Sequence, residues 1–213
     1  MTKLALITGA SRGFGAAVAE ALAPTHHVIA VARTTGALEE LDDRIQAKGG
    51  QATLAPMDIS NIDAMRHLCR SIHDRWGKLD LWVHTAIHTP PLSPADHIAE
   101  KDWDKTINID IKPIGMLIPF ISPLLHASGA GQAVFVDDSN AGKFHGAYAA
   151  AKAAQRALFS AWEAETATAE ALTVQAFEPA PMATATRARF YPGEDRTPLA
   201  DAHAEAARLL SAL

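Results

Sequence analysis

The sequence predicts an α/β domain built on a parallel sheet, and three observations carry that prediction. Short apolar runs of β character alternate with stretches in helical period through most of the 213 residues. The first run, Leu4-Ala5-Leu6-Ile7, leads straight into a glycine-rich turn, Thr8-Gly9-Ala10-Ser11-Arg12-Gly13-Phe14-Gly15. The sequence contains no internal repeat, low-complexity tract or linker, so residues 1–213 read as one domain.

Six runs are the candidate strands: Lys3–Thr8, His27–Ala32, Ala52–Ala55, Asp80–Thr85, Gln132–Asp137 and Thr173–Phe177. Between them the spacing turns helical. Phe14, Val18 and Leu22 recur every fourth residue, and Leu38, Leu41 and Ile45 follow the three-four rule. Ile62, Met65, Leu68, Ile72 and Trp76 do the same, with Ser60 and Asp63 in the pattern of a capping box at the start of that third helix. Tyr148–Thr168 is Ala-rich and has the strongest helix propensity in the chain, and a last helix is predicted over Leu199–Leu213. Pro113, Pro119 and Pro123 interrupt an apolar stretch, so a helix that begins near Asp102 is expected to break around Lys112.

Composition narrows the function classes. The formal net charge is −5 and the basic residues are scattered, which offers no footprint for nucleic acid. A single cysteine, Cys69, excludes an intramolecular disulfide and fits a reducing compartment. Its place on an apolar helical face marks it as a small buried hydrophobe. The N-terminal apolar stretch is broken at Gly9 and Arg12, unlike a signal peptide, and no uninterrupted run is long enough to span a bilayer. A cytoplasmic protein without membrane contact is expected.

The glycine-rich turn suits a dinucleotide pyrophosphate, which needs backbone N–H groups and a helix N-terminus with no side chain in the way. Gly9 permits the tight turn, Gly13 lets backbone approach phosphate, and Gly15 lets the helix pack on the sheet. The second strand ends Val31-Ala32-Arg33, without the acidic residue that would bind a ribose 2′-hydroxyl. Arg12 and Arg33 could both fork onto a 2′-phosphate, which favours NADP(H) over NAD(H). Tyr148 and Lys152, four apart, share a helical face, where the ammonium would lower the phenol pKa and fit it for proton transfer.

With these features the chain resembles the short-chain dehydrogenase/reductase family over nearly its whole length. The turn Thr8–Gly15 matches T-G-x-x-x-G-x-G, and Tyr148-Ala149-Ala150-Ala151-Lys152 matches Y-x-x-x-K. Asp58, followed by Ile59, falls at the adenine-contacting position, Asn108 at the helix asparagine, and Ser139 three before Gly142 at the catalytic serine. The resemblance implies a single Rossmann-type doubly wound domain, about six parallel strands in order 3-2-1-4-5-6 with helices on both faces. It implies hydride exchange between nicotinamide and a carbonyl or alcohol carbon of a small molecule. Tyr148 would then exchange the hydroxyl proton and Ser139 would bond the substrate oxygen. Lys152 would hold the nicotinamide ribose, and Asn108 would hold a relay water. Ser11 and Phe14 in the turn, together with Ala86, Met182 and Thr184, would complete the cofactor contacts, the last two at the carboxamide.

Departures from the pattern carry their own expectations. His84-Thr85-Ala86-Ile87 stands where the family has N-N-A-G, which puts the brace beside the cofactor in question. Ser139 and Tyr148 are nine apart, a short loop that displaces Ser139. Asp137 and Asp138 precede that serine, and their alternation in a strand sends at most one into the pocket, where it could receive a cationic substrate group or raise the pKa of Tyr148. The segment after Thr184 is short, so the seventh strand and one family interface are expected to be missing, which favours a homodimer through the central helices. His84, His88, Asp96 and His97 fit no closed zinc pattern, and the four tryptophans are expected to pack. Two functions follow: an NADP(H)-dependent oxidoreductase, or a non-catalytic NADP(H)-binding regulatory or scaffold protein.

Overall fold

A computed structural model describes residues 2–139, 142–168 and 171–213. Its strands are β1 (Lys3–Thr8), β2 (His26–Ala32), β3 (Gln51–Pro56), β4 (Leu81–His84), β5 (Gly131–Val136) and β6 (Leu172–Phe177). All pair in parallel, in the order β3-β2-β1-β4-β5-β6. The order reverses between β1 and β4, so the carboxyl ends of those two strands flank a crevice where ligands bind in such sheets. β1 and β4 are buried on both faces, which is why their residues read as continuous apolar runs rather than as an alternation.

Helices cover both faces. α1 (Gly13–Leu22), α2 (Thr35–Ala47) and a C-terminal helix cover one, with Val18, Leu22, Leu38, Leu41 and Ile45 packed on Ala5, Ile7, Val28 and Ala30. On the other, α3 (Ile62–Trp76) and the central helices enclose Leu6, Ile29, Trp82 and Phe135, with Met65, Cys69, Ile72, Leu117 and Trp162 above them. Burial pushes the Cys69 thiol up to about 12, so it behaves as the predicted apolar side chain.

Three element predictions need correction. The N-cap of α3 is Asn61, whose side chain accepts from Ala64 N–H, while Ser60 donates to Asp58 Oδ1 instead. The predicted break near Lys112 does not occur. α4 (Glu100–Thr106) passes through a π-helical segment, Ile107–Ile111, into α5 (Lys112–His126), and the Lys112 N–H bonds to the Ile107 carbonyl five residues back. The widened turn admits Pro113 near the start of α5, and Pro119 and Pro123 lie on its exposed side. Chain-terminal prediction also ran long: α7 (Ala185–Phe190) was not foreseen, and the last helix, α8, is Ala202–Leu210.

The continuous helix Glu100–His126 is long and apolar enough to cross a membrane by length and composition, contrary to the sequence expectation. Its Ile114, Leu117, Ile121, Leu124 and Leu125 are buried in the core on that face of the sheet. Between β5 and β6 runs α6 (Gly146–Thr166), which carries Tyr148 and Lys152.

Candidate active site

The site begins where β1 stops. Gly9 takes φ +91°, a conformation costly to any residue with a Cβ, and a Cβ there would lie 2.6 Å from the Ala86 backbone nitrogen. A Cβ on Gly15 would drive into the Gly9 carbonyl and the Thr85 hydroxyl. The turn is therefore packed so closely that only glycine fits. Thr85 holds it by donating to the carbonyls of Thr8 (2.9 Å) and Gly9 (3.3 Å). The brace put in question by His84-Thr85-Ala86-Ile87 is thus present, built from a threonine. His84 is fully buried, its Nδ1 2.8 Å from Thr8 Oγ1, and burial followed by the Lys152 charge drops its pKa to about 3, so it is a neutral ring.

α1 starts without a side-chain cap, which leaves its first N–H groups open to the crevice. Phe14 stacks on Phe177 at 5.6 Å and fixes how the helix sits. A cavity of about 510 Å³ runs from this turn, past Arg12 and Arg33, to Tyr148 and Phe190. Among the residues predicted to hold a cofactor, Gly9, Ser11, Arg12, Gly13, Phe14, Gly15, Arg33, Asp58, Ile59, Ala86, Met182 and Thr184 all line it. Arg33 and Asp58 form an exposed ion pair at 3.7 Å, and the Thr184 hydroxyl accepts from Arg187 N–H to cap α7. Backbone donors at one wall, two guanidinium groups at one end and a lysine at the other fit a phosphorylated dinucleotide.

At the far end Tyr148 donates its hydroxyl hydrogen to Asp138 Oδ2 at 2.9 Å. Burial, then the charge and hydrogen bond of Asp138, and then Asp110 and Asp137 raise its pKa well above the ordinary phenol value. Burial and three carboxylates act against any lowering of the phenol by Lys152. Lys152 is buried and donates to the Val136 carbonyl at 2.8 Å, and burial lowers its pKa against the pull of Asp137, Asp110 and Asp138. Asp137 is forked by Arg156 at 2.6 and 3.0 Å. Both aspartates line the cavity, so alternation did not keep one of them out.

Two predicted catalytic residues sit differently from expectation. Ser139 Oγ donates to Glu178 Oε1 at 2.6 Å, as its backbone N–H does at 3.2 Å, so its hydroxyl hydrogen is engaged by that carboxylate. Asn108 lies in the π-helical segment with its side chain exposed and does not line the cavity. The widened turn brings in Asp110 instead. It is fully buried behind Lys152, Oδ1 accepts from the His88 N–H, and Oδ2 has no hydrogen-bond partner. Its carbonyl accepts from Gln155 Nε2 at 2.6 Å. Burial, opposed by the His88 N–H and the Lys152 charge, pushes its pKa up to about 7.

Sequence reasoning also missed Glu178, Phe190 and Tyr191 on the cavity wall; the ring of Phe190 meets that of Tyr148 edge-on at 4.8 Å. An aromatic pair just past Thr184, in a segment otherwise polar, was the signal available. No group of three metal-ligating side chains is found among the described residues.

This assembly belongs to a recognised lineage. Residues 3–195 match the short chain dehydrogenase family, and the chain is a member of it. It is 30% identical over 169 residues to the fatty acyl-CoA reductase of Acinetobacter baylyi, a match that covers 76% of this chain and 57% of that protein. A 3-oxoacyl-[acyl-carrier-protein] reductase of Staphylococcus aureus is 31% identical over 134 residues, 61% of this chain and 54% of its own. The chain thus spans about half the length of these curated relatives. In structure it is similar to a short-chain dehydrogenase of Shigella flexneri complexed with NADP, with TM-score 0.88 and 27% identity over 94% of this chain and 86% of that one. A Pseudomonas syringae short-chain dehydrogenase matches with TM-score 0.90 at 26% identity, over 95% of this chain and 85% of that one.

Proposed function

We propose that the protein is an NADP(H)-dependent oxidoreductase that interconverts a carbonyl and a secondary alcohol on a small molecule. The observation that carries this reading is one cavity joining the glycine turn and Arg12 to Tyr148 and Lys152. Gly9, Ser11, Gly13 and the start of α1 would hold the pyrophosphate. Arg12 and Arg33 would hold a 2′-phosphate, with Asp58, Ile59 and Ala86 at the adenosine and Met182 and Thr184 at the nicotinamide. The dinucleotide, when bound, supplies or accepts the hydride. The NADP complex of the Shigella relative supports this cofactor class.

Tyr148 is the general acid or base at the substrate oxygen. Its raised pKa keeps it a phenol at neutral pH, the form that gives a proton to a carbonyl being reduced. Lys152 is the neighbouring cation that stabilises the phenolate left behind. Asp110, buried and within electrostatic reach of Lys152, supports that cation, while Asn108 is exposed. A homodimer through the central helices belongs to this reading, supported by exposed Trp103, Met116 and Leu158 on α4, α5 and α6. So does a cytoplasmic location, supported by the lone reduced Cys69.

Tyr148→Phe tests it. Wild type should oxidise NADPH with some member of a ketone and aldehyde panel, and the variant should lose at least 100-fold in kcat/KM while NADPH still binds. Full activity in the variant refutes Tyr148 as the proton donor. The diversion of Ser139 to Glu178 favours a second reading, a non-catalytic NADP(H)-binding regulatory or scaffold protein. That reading gains if NADPH binds by calorimetry and no carbonyl is turned over.

A further inference from the structure

Between the end of β6 and the start of α7, residues 178–184 form no helix and no named strand. Pro179 and Pro181 have no N–H to give, so the segment cannot knit itself into either. Yet Glu178, Pro179, Ala180, Pro181, Met182 and Thr184 all line the cavity. Met182 and Thr184 stand at the nicotinamide in the reading above. What fixes such a segment must come from outside it.

Three of its backbone groups are fixed from one place. Arg208 Nη2 donates to the Glu178 carbonyl at 2.7 Å, and Glu205 Oε2 accepts from the Ala180 N–H at 2.9 Å. The Pro181 carbonyl accepts from the Ala200 N–H at 2.8 Å, just before α8 begins. Arg208 Nη2 also donates to Glu205 Oε2 at 2.7 Å. The two side chains and the chain from Glu178 to Ala180 therefore close a ring of hydrogen bonds. Every bond in that ring has a charged partner, which makes it stronger than one between neutral groups.

An i,i+3 ion pair on a helix surface usually contributes little. This pair differs in two respects. The Glu205 side chain is only 10% exposed, and both members spend bonds on the backbone of another segment. The Arg208 guanidinium also lies 4.2 Å from the centre of the Phe177 ring, which stacks on Phe14 of the glycine turn. One side chain thus joins the segment after β6 to the ring that seats the start of α1.

We infer that Glu205 and Arg208 are positioning residues for the nicotinamide half of the cofactor, acting through the backbone of Glu178 and Ala180. Neither lines the cavity, so their effect reaches the cofactor through residues 178–184. The adenosine half, assigned to Arg12, Arg33 and Asp58, takes no part in the ring and should not feel its loss. This inference rests on the NADP(H) reading above.

Calorimetry with two ligands separates the halves: NADPH, and adenosine 2′,5′-bisphosphate, which has the 2′-phosphate and no nicotinamide. Glu205→Ala should weaken NADPH at least 5-fold and the bisphosphate less than 2-fold. Glu205→Gln, whose amide oxygen can still accept from Ala180, should bind NADPH more tightly than Glu205→Ala does. Arg208→Ala should repeat the pattern, and it decides alone if Glu205→Ala does not fold, because the Arg208 side chain is 50% exposed. In both alanine variants the fluorescence of bound NADPH should move toward its free-solution wavelength. Variants that lose both ligands equally, or neither, overturn the inference and leave the cofactor reading intact. A wild-type protein that binds neither ligand overturns that reading, and the inference with it.

Discussion

Replacing Asp110 by Asn should make the protein more stable at high pH than at low pH relative to wild type. Asp110 ionises near 3.8 in an unfolded chain and near about 7 in the fold. Between those values the native state holds a proton that the unfolded state has released. Wild-type stability from this group is therefore complete below about pH 4 and is lost as pH rises through about 7. The difference corresponds to roughly 4 kcal/mol once the carboxyl is ionised in both states. For a chain of this size that is a shift of roughly 8–16 °C in Tm. Asparagine cannot ionise; its amide oxygen can keep the His88 N–H, and its amide nitrogen replaces the unpartnered Oδ2 at a cost that does not vary with pH. His84, also buried and neutral, gains charge at low pH in both proteins and cancels in the comparison. The assay is urea unfolding of both proteins from pH 4.5 to 8.5. The gap between them should change by about 1.4 kcal/mol per pH unit up to about pH 7 and then level off. Parallel curves would refute the reasoning.

Other expectations follow from the turn and from a buried acid. Gly15→Ala must displace the Gly9 carbonyl or the Thr85 hydroxyl; it should lower stability by about 1–3 kcal/mol and abolish NADPH binding by titration, and unaltered binding would count against the close-packed cradle. Glu20, nearly buried in α1, accepts from Arg44 at 2.8 Å and Lys48 at 3.1 Å; burial raises its pKa, but those bonds and charges outweigh it and hold the carboxyl below its usual value. Its contribution is present above about pH 4.5 and lost as pH falls through the lowered folded value, so Glu20→Gln should destabilise by about 1–3 kcal/mol at pH 7 and by less near pH 3, read by thermal unfolding. Arg12→Ala with Arg33→Ala should weaken NADPH at least 10-fold and NADH less than 3-fold; equal losses would refute the 2′-phosphate roles.

The sheet and the cofactor end were legible because local signals there agree with the fold. Each strand was found to within one residue at its ends, and Gly9 and Gly15 stand where a Cβ would collide, with Gly13 at a positive φ of 56°. The central helix was misread because proline rules describe an α-helical ladder, and a π-helical segment evades them. In the same segment Asn108 is exposed and Asp110 buried, and spacing alone does not say which residue a widened turn presents inward. At the substrate end, Asp138, Glu178 and Phe190 come from three separate elements, and their meeting around Tyr148 and Ser139 is a tertiary fact. Asn140 and Ala141, within the loop counted as short, lie outside the described residues.

The π-helical segment Ile107–Ile111 also sets a phase. One residue more than an α-helical turn needs is held there, so the helix on its two sides is out of step by about 100°. Deleting a single residue would restore uniform winding. Either Asp110 would then rotate away from Lys152, or Ile114, Leu117 and Ile121 would rotate off the sheet, and the buried apolar face would prevail. The identity of the group near Lys152 is thus encoded in residue count as well as in residue type, and deletion of Asn108 alone would rewrite it without removing a side chain that lines the cavity.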